Sequence, residues 1–344
     1  MITKNYEKTI TDARDKYKRM FHSEYGGDSH VGRHTESTIS GDGYMPSESK
    51  DTAKAKVKFK NISLESDWSE SYIVNLFDWY LHVSEKLDWF TGSAQWILKD
   101  FGTPLRPENP IPYINQKGLL DRNGTPKDAY YVYKSYWTTD PKFCYIESHT
   151  WTERAGQANE KRNVKIYSNC DEVEFLLNGV SEGRHRRDIN IFPACGLSWS
   201  VNFNDGKNIL KAIGYSNGIK VCEDSMNVNY RYSKNVEPDN VELSSSKIQL
   251  SSAKMDNGNI LITALAVDKN GNRCLNYNKR IYFTFEGPGK LYENYGTPTR
   301  SSIIEMANGK AQIEFKPEKS GTAIIEVRNQ DFKGAYLRIE DNKE

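Results

Sequence analysis

The sequence lacks both the long apolar stretch and the one-sided charge that mark several classes of protein. Its 344 residues contain no run close to the roughly 18 apolar residues of a membrane span. Residues 1–20 also lack the apolar core of a signal peptide. Lysine and arginine number 47 against 46 aspartates and glutamates, and the two signs are interspersed. We therefore expect a soluble protein with a neutral partner, and neither nucleic acid nor a membrane as partner.

Cysteine is scarce and irregularly placed. There are five cysteines, an odd number, and none forms a C-x-x-C pair. This pattern predicts neither a zinc site nor a full disulfide framework, so we expect no metal or cofactor. It favours reduced thiols and, with them, a cytoplasmic location. The five residues are Cys144, Cys170, Cys195, Cys222 and Cys274.

Aromatic residues, in contrast, are plentiful, with 7 Trp, 21 Tyr and 13 Phe. A large hydrophobic core uses such residues, and so does a site that stacks sugar rings. Composition alone leaves both uses open.

The first 139 residues alternate between helix and strand patterns. Apolar residues recur every three or four positions over residues 6–19, which predicts an amphipathic helix leading into the strand MFHSEYG. A polar stretch over 35–66 is typical of a long loop. Helical periodicity returns in SDWSESYIVNLFDWYLHVSEKLDWF, a strand follows in GSAQWILKDFG, and TPKDAYYVYKSYW opens a third helix. Thr125 and Asp128 form a capping-box pattern at the start of that helix.

After Trp137 the pattern changes to short strands separated by turn residues. Runs such as NVKIYSN, EVEFLLNG and NILKAIGYS have the spacing of an antiparallel sandwich. A hydrophilic joint, YSKNVEPDN, precedes a second series of the same kind. The predicted domains are an α/β portion at 1–139 and two β-sandwiches at 140–235 and 236–344.

An acid stands at the end of the first predicted strand. Glu24 is followed by Gly26 and Gly27, a pair that permits a tight turn and keeps the carboxylate clear of its own backbone. Catalytic residues of (β/α) barrels occupy the C-terminal ends of strands, so a barrel is one interpretation of this pattern. From spacing alone, a solvated or helix-capping glutamate is the simpler alternative.

Four blocks of sequence resemble the final part of the catalytic barrel of glycoside hydrolase family 2, which includes β-galactosidases and β-glucuronidases. They occur in the family's order within residues 14–137: SEYGGDSHVGRH, WSESY, GSAQWILKDFGT and NQKGLLDRNGTPKDAYYVYKSYW. The resemblance implies the last two β/α units of a (β/α)8 barrel followed by two immunoglobulin-like β-sandwich domains. It also implies a retaining β-glycosidase that hydrolyses terminal β-galactoside or β-glucuronide bonds.

The same resemblance implies roles for individual residues. Glu24 matches the family's nucleophile. The acid/base of the family follows an asparagine upstream of the nucleophile, and Asn159-Glu160, the single Asn-Glu pair of the chain, lies in a predicted sandwich loop. We therefore expect a chain that begins just before the seventh barrel strand and is inactive alone. Its expected partner is a missing N-terminal portion of the enzyme or a second copy of the chain.

Three more residues match sugar-binding positions of the family. Trp96 matches a tryptophan that lines the sugar subsite, with a barrel-core tryptophan as the alternative. Asn115 and Lys117, in NQKG, match the N-x-K element that holds the carboxylate of a uronic acid, although Lys117 could equally bind a loop carbonyl or pair with Asp121. The spacing of His22, His30 and His34 fits no standard metal site.

A different class of function is also open. In this alternative, the two sandwiches form a non-catalytic carbohydrate-binding or spacer protein, and the barrel portion has lost its role.

Overall fold

The computed structural model of the protein describes residues 6–36, 39, 68–233, 246–291, 303–318 and 321–341. This part of the chain is mostly β-strand with three α-helices. Most of the polar stretch predicted as a loop over 35–66 lies outside the described residues. Among the helices described, none is long and apolar enough to cross a membrane. The chain divides into two compact units, Met1–Asp100 with Lys117–Val236, and Phe101–Gln116 with Glu237–Glu344.

The α/β portion of the first unit contains three helices and two paired strands. In chain order these are α1 (Tyr6–Tyr17), β1 (His22–Tyr25), α2 (Glu70–Ser84), β2 (Ser93–Gln95) and α3 (Asp128–Trp137). Their order agrees with the order predicted from periodicity. Strands β1 and β2 are parallel, with His22 opposite Ser93 and Tyr25 opposite Gln95. Their C-terminal ends therefore lie at one edge of the sheet.

Helices α2 and α3 begin differently. Helix α2 has a side-chain cap, because the Ser69 hydroxyl accepts a hydrogen bond from the Tyr72 amide at 3.1 Å. Helix α3 begins after Lys127 without any side-chain cap, so the predicted capping box of Thr125 and Asp128 is wrong. The Asp128 carboxylate instead accepts a hydrogen bond from the Tyr145 hydroxyl at 2.5 Å.

The first unit also contains a pair of sheets that share one hydrophobic core. A three-stranded sheet has the order β10-β7-β5, and a five-stranded sheet has the order β6-β12-β11-β8-β9. Buried residues of both sheets, among them Ile166 and Phe175, belong to one core cluster. The strands are β5 (Cys144–Ile146), β6 (Glu153–Gly156), β7 (Arg162–Ser168), β8 (Glu172–Leu177), β9 (Val180–Arg186), β10 (Ser198–Val201), β11 (Gly206–Ser216) and β12 (Ile219–Tyr232).

A buried carboxylate joins the helices to these sheets. Asp78 of α2 accepts hydrogen bonds from the Ala194 amide at 2.7 Å and from the Tyr136 hydroxyl at 3.0 Å, and Tyr167 of β7 donates to it at 3.3 Å. Helices and sheets therefore share one interior. The predicted boundary at 139/140 falls inside this unit, and the division into 1–139, 140–235 and 236–344 stays a prediction.

The second unit consists of two four-stranded sheets around a separate core. Their orders are β13-β14-β18-β16 and β17-β15-β19-β20. Buried residues of both sheets, such as Ile262 and Phe283, share the core. The strands are β13 (Lys247–Lys254), β14 (Ile260–Val267), β15 (Arg280–Glu286), β16 (Lys290–Leu291), β17 (Ile303–Glu305), β18 (Lys310–Lys316), β19 (Gly321–Arg328) and β20 (Ala335–Asp341).

Residues 101–116, which lie between β2 and α3 in sequence, belong to this second unit. The segment forms a short antiparallel pair, β3 (Phe101–Gly102) with β4 (Ile114–Asn115). The carbonyl oxygen of Pro110 accepts a hydrogen bond from the Glu305 amide at 2.8 Å, and Arg280 donates to the Glu108 carbonyl oxygen at 2.5 Å. This position differs from the predicted one, in which residues 101–116 belong to the α/β portion.

Candidate active site

Glu24 is an exposed residue near the C-terminal end of β1. The next residue, Tyr25, is buried: its hydroxyl accepts a hydrogen bond from the Tyr133 hydroxyl at 2.8 Å, and its ring stacks on His22 at 5.0 Å. Burial raises the pKa of Tyr25, which keeps its hydroxyl protonated. The contacts of Tyr25 thus fix the strand end that presents the Glu24 carboxylate to solvent.

The glycines after Glu24 are required by close packing. A Cβ on Gly26 would lie 2.1 Å from the carbonyl oxygen of Trp96, and a Cβ on Gly27 would lie 2.3 Å from Cδ1 of Ile73. Neither glycine has a positive φ. The prediction that this pair serves to permit a tight turn therefore gave the wrong physical reason. The glycines allow β1 to approach the end of β2 on one side and α2 on the other.

Trp96 and Lys117 lie at the adjacent strand end. The Trp96 amide donates a hydrogen bond to the Tyr25 carbonyl oxygen at 2.7 Å, and the Trp96 side chain is 40% exposed. The Lys117 carbonyl oxygen accepts two hydrogen bonds, from the Ile97 amide at 3.1 Å and from Nε2 of Gln95 at 3.1 Å. Backbone contacts thus place Trp96 and Lys117 beside the strand end that carries Glu24.

Asn115 belongs to the second unit. It is buried on β4, where it pairs with Phe101 of β3. Its assignment to carboxylate binding is untested by these contacts and stays a prediction.

A buried polar cluster that the sequence patterns do not predict packs beneath the segment that follows Glu24. Glu70 accepts a hydrogen bond from the Gly32 amide at 2.7 Å and one from the Thr150 hydroxyl at 3.2 Å. His34 lies 2.7 Å from the same hydroxyl and 3.5 Å from the Glu70 carboxylate. Asp128 completes the cluster. Glu70 lies within the WSESY block, but no periodicity or spacing in the sequence predicts that it meets Asp128, 58 positions later.

The two carboxyl groups of this cluster favour their protonated forms. Burial raises the pKa of Glu70, and this shift is opposed by the hydrogen bond from Gly32 and by the charge of Lys127. Burial, and next the negative charge of Glu70, raise the pKa of Asp128 well above its usual range. The negative charge of Glu70 therefore opposes ionisation of its buried neighbour Asp128.

Lys127 ties this region to the end of β2. Its ammonium group forms a buried ion pair with Asp100 at 2.8 Å and donates to the Ser29 carbonyl oxygen at 3.3 Å. Burial raises the pKa of Asp100 to about 6, although the nearby Lys127 opposes the shift. The chain after Glu24 and the chain after Trp96 are therefore held by the same side chain.

The histidines near Glu24 do not converge on one another within the described residues. His22 stacks on Tyr25, whereas His34 stacks on Trp151 at 5.1 Å. The one ligand-like group that includes a histidine in this part of the chain is His34, Glu70 and Asp128, whose ligand atoms lie within 4.8 Å of one another.

The Asn159-Glu160 pair lies in the turn between β6 and β7. Glu160 accepts a hydrogen bond from the Gln157 amide at 2.9 Å and forms an ion pair with Arg162 at 2.8 Å. These contacts explain Glu160 as part of a turn in the first sandwich, consistent with its predicted position in a sandwich loop.

Comparisons with known proteins agree with the predicted resemblance. Residues 159–222 match a family described as a domain of unknown function, DUF4982. A protein of Formosa agariphila that is assigned as a β-glucuronidase is 50% identical over 98% of this chain and 40% of its own length. The crystal structure of a Parabacteroides merdae β-glucuronidase is 36% identical, with a TM-score of 0.80 over 98% of this chain and 40% of that one. Bacteroides uniformis β-glucuronidase 3 is also 36% identical, with a TM-score of 0.82 over 98% and 41%.

The chain spans about 40% of the length of these relatives. It resembles part of the β-glucuronidases of glycoside hydrolase family 2, and the resemblance extends over nearly all of its residues. The predicted relationship to glycoside hydrolases is confirmed.

Proposed function

We propose that this chain contributes the nucleophile and part of the sugar subsite of a retaining β-glycosidase that acts on β-glucuronides. The observation that carries the proposal is the position of Glu24. Its exposed carboxylate lies near the C-terminal end of β1, and the half-exposed indole of Trp96 directly follows the parallel neighbour β2. A (β/α)8 barrel completed by further polypeptide, and the immunoglobulin-like class of the two sandwiches, belong to the same proposal.

A retaining mechanism uses two carboxyl groups, and Glu24 would be the nucleophile. Retaining glycosidases use two carboxyl groups about 5 to 5.5 Å apart. In the first step, the Glu24 carboxylate attacks the anomeric carbon while the second carboxylic acid protonates the departing oxygen. In the second step, the second carboxyl group, now ionised, removes a proton from water. The water oxygen attacks the anomeric carbon, displaces Glu24 and releases the sugar. The configuration of the anomeric carbon is therefore retained.

The second carboxyl group would come from polypeptide other than this chain. The Asn-Glu pair of this chain is engaged in a sandwich turn, where Glu160 is paired with Arg162. The relatives are more than twice as long as this chain. We accordingly expect the chain to require an N-terminal portion, or a second polypeptide, for turnover.

The names of the relatives and the position of Lys117 support a uronide as substrate. An ammonium group is a suitable counter-charge for a sugar carboxylate. The Lys117 carbonyl oxygen accepts hydrogen bonds from Gln95 and Ile97, the residues on either side of Trp96. The Lys117 side chain therefore begins next to the proposed stacking surface. The proposed assignment gives Trp96 the apolar face of the sugar and Lys117 the carboxylate.

Reconstitution tests the proposal directly. The chain would be coexpressed with the N-terminal 60% of the Parabacteroides merdae enzyme, and hydrolysis of an aryl β-glucuronide would be measured for each part and for both together. We expect turnover only from the combination. Glu24→Gln should lower kcat by about 1,000-fold or more, equivalent to about 4 kcal/mol of transition-state stabilisation. Glu182→Gln, at an exposed position on β9, is the matched control and should leave kcat unchanged.

A 2-fluoro-glucuronide that traps the covalent intermediate identifies the nucleophile independently. We expect the label on Glu24 in the digested protein. Label on another carboxylate, or turnover by the chain alone, would refute the proposal.

A further inference from the structure

Three of the five cysteines meet inside the first unit. Cys144 begins β5, Cys170 follows β7, and Cys222 lies in β12. The Cys222 sulfur is 3.4 Å from the sulfurs of both Cys170 and Cys144, and all three sulfurs lie within 4.8 Å of one another. Strands β5 and β12 belong to different sheets, and Cys170 lies in the connection from one sheet to the other. The cluster therefore depends on how the two sheets pack.

A glycine makes room for the sulfurs. Gly214 of β11 lies directly opposite Cys222 in the sheet register. A Cβ at Gly214 would lie 2.5, 2.6 and 2.7 Å from the sulfurs of Cys222, Cys170 and Cys144, respectively. Its φ is not positive, so its backbone conformation does not require glycine. The absent side chain leaves the space in which the three thiols converge.

The arrangement differs from that of a disulfide. All three cysteines are free, and their 3.4 Å separations exceed the S–S bond length of about 2.05 Å. A disulfide would also use two of the sulfurs and leave the third out. A triangle of three sulfurs, in contrast, matches the donor set of a metal ion bound by thiolates.

The donor set favours a soft, three-coordinate ion. Thiolates select Cu(I) and Zn(II), and structural Zn(II) sites are almost always four-coordinate. The nearest hydroxyl with a hydrogen bond to the cluster is that of Ser168, 3.5 Å from the Cys144 sulfur. That hydroxyl already donates to the Phe143 carbonyl oxygen at 2.6 Å and accepts from the Cys170 amide at 3.1 Å. Among the described residues the cluster consists of these three sulfurs, and three-sulfur coordination suits Cu(I).

We propose that Cys144, Cys170 and Cys222 form a trigonal thiolate site that binds one Cu(I) ion. Cys144 and Cys170 are buried and Cys222 is half-buried, so the ion would enter past Cys222. Each thiol releases its proton to solvent as its sulfur binds, and the ion keeps its oxidation state. The site uses neither Glu24 nor Trp96, so it is independent of the proposed glycosidase function.

Copper binding to the reduced chain tests the site. The full chain, purified without oxygen, would be titrated with Cu(I) in competition with a chromogenic Cu(I) chelator, and X-ray absorption would give the ligands of the bound ion. We expect one Cu(I) per chain, three sulfur neighbours, and a higher Tm for the copper-bound protein. Cys170→Ser and Cys222→Ser should each weaken binding by at least about 100-fold, whereas Cys274→Ser, in the second unit, should bind as the unaltered chain does.

The wild-type spectrum decides the question if a serine variant fails to fold. No retained copper, an ion with fewer than three sulfur neighbours, or tighter binding of four-coordinate Zn(II) than of Cu(I) would overturn the proposal. Equal loss of affinity in Cys274→Ser and Cys222→Ser would overturn it as well.

Discussion

The backbone amide of Trp96 donates a hydrogen bond to the carbonyl oxygen of Tyr25 at 2.7 Å. This bond joins the ends of two parallel strands, one carrying the proposed nucleophile and the other the proposed sugar-stacking residue. Gly26 makes the approach possible, because any side chain at that position would collide with the Trp96 carbonyl group. The proposed roles of Glu24 and Trp96 therefore depend on one backbone contact.

Gly26→Ala should break this contact. The added methyl group would lie 2.1 Å from a backbone oxygen, which cannot rotate away as a side chain could. We expect a loss of about 2–3 kcal/mol in the free energy of unfolding, measured by urea denaturation. Gly334→Ala is the control, since its Cβ would meet only side-chain atoms at 3.3 Å or more. Equal stability of the two variants would contradict the packing argument.

Trp96→Ala should weaken substrate binding in the reconstituted enzyme. Loss of the indole face removes the surface on which the C–H groups of the sugar would stack, so KM for an aryl β-glucuronide should rise by about tenfold, at about 1.4 kcal/mol. Trp137→Ala removes a similarly exposed indole from the end of α3 and should leave KM unchanged. A fall in Tm without any change in KM would instead identify Trp96 as a packing residue.

Lys117→Ala should distinguish sugars by their charge. A hydrogen bond to a charged group contributes about 1.5–3 kcal/mol, so kcat/KM for a β-glucuronide should fall by about 10- to 100-fold. Activity on the matching β-galactoside, which has no carboxylate, should change little. Lys99→Ala removes the same charge at an exposed position and is the charge-matched control. Equal losses on both sugars would remove Lys117 from carboxylate recognition.

Asp128→Asn should change how stability depends on pH. The pKa of Asp128 is raised in the folded protein, so this group contributes stability below about pH 4 and loses it as the pH rises toward the folded pKa. An amide carries no titrating proton and escapes this loss. The groups that act on Asp128 are Glu70, Ser148, Tyr145 and Glu147.

The measurement is the free energy of unfolding between about pH 4 and 8. The variant and the unaltered chain should agree near the acidic end, and the variant should become relatively more stable as the pH rises, by up to about 1.4 kcal/mol per pH unit. Asp88→Asn, at an exposed position, should follow the unaltered chain throughout. A constant difference at every pH would show that Asp128 does not hold a proton in the folded protein.

The local elements and the family resemblance can be predicted from the amino-acid residues alone. Helix α1 follows from apolar periodicity, because it buries one face, with Tyr6 and Ile10, and this requires regular spacing in the chain. The blocks around Glu24 and Trp96 were sufficient to predict the relationship to glycoside hydrolases. The relationship can be predicted from these blocks because the residues of each block are neighbours in the chain.

Which distant residues meet is visible in the folded chain and not in the sequence. Glu70 and Asp128 share one buried cluster, and Cys144, Cys170 and Cys222 converge over Gly214, although nothing in their spacing indicates it. Likewise, residues 101–116 pack with the C-terminal sheets because Arg280 and Glu305 hydrogen-bond to their carbonyl oxygens. Such contacts depend on how sheets and helices pack, and packing brings together side chains whose separation in sequence has no fixed period.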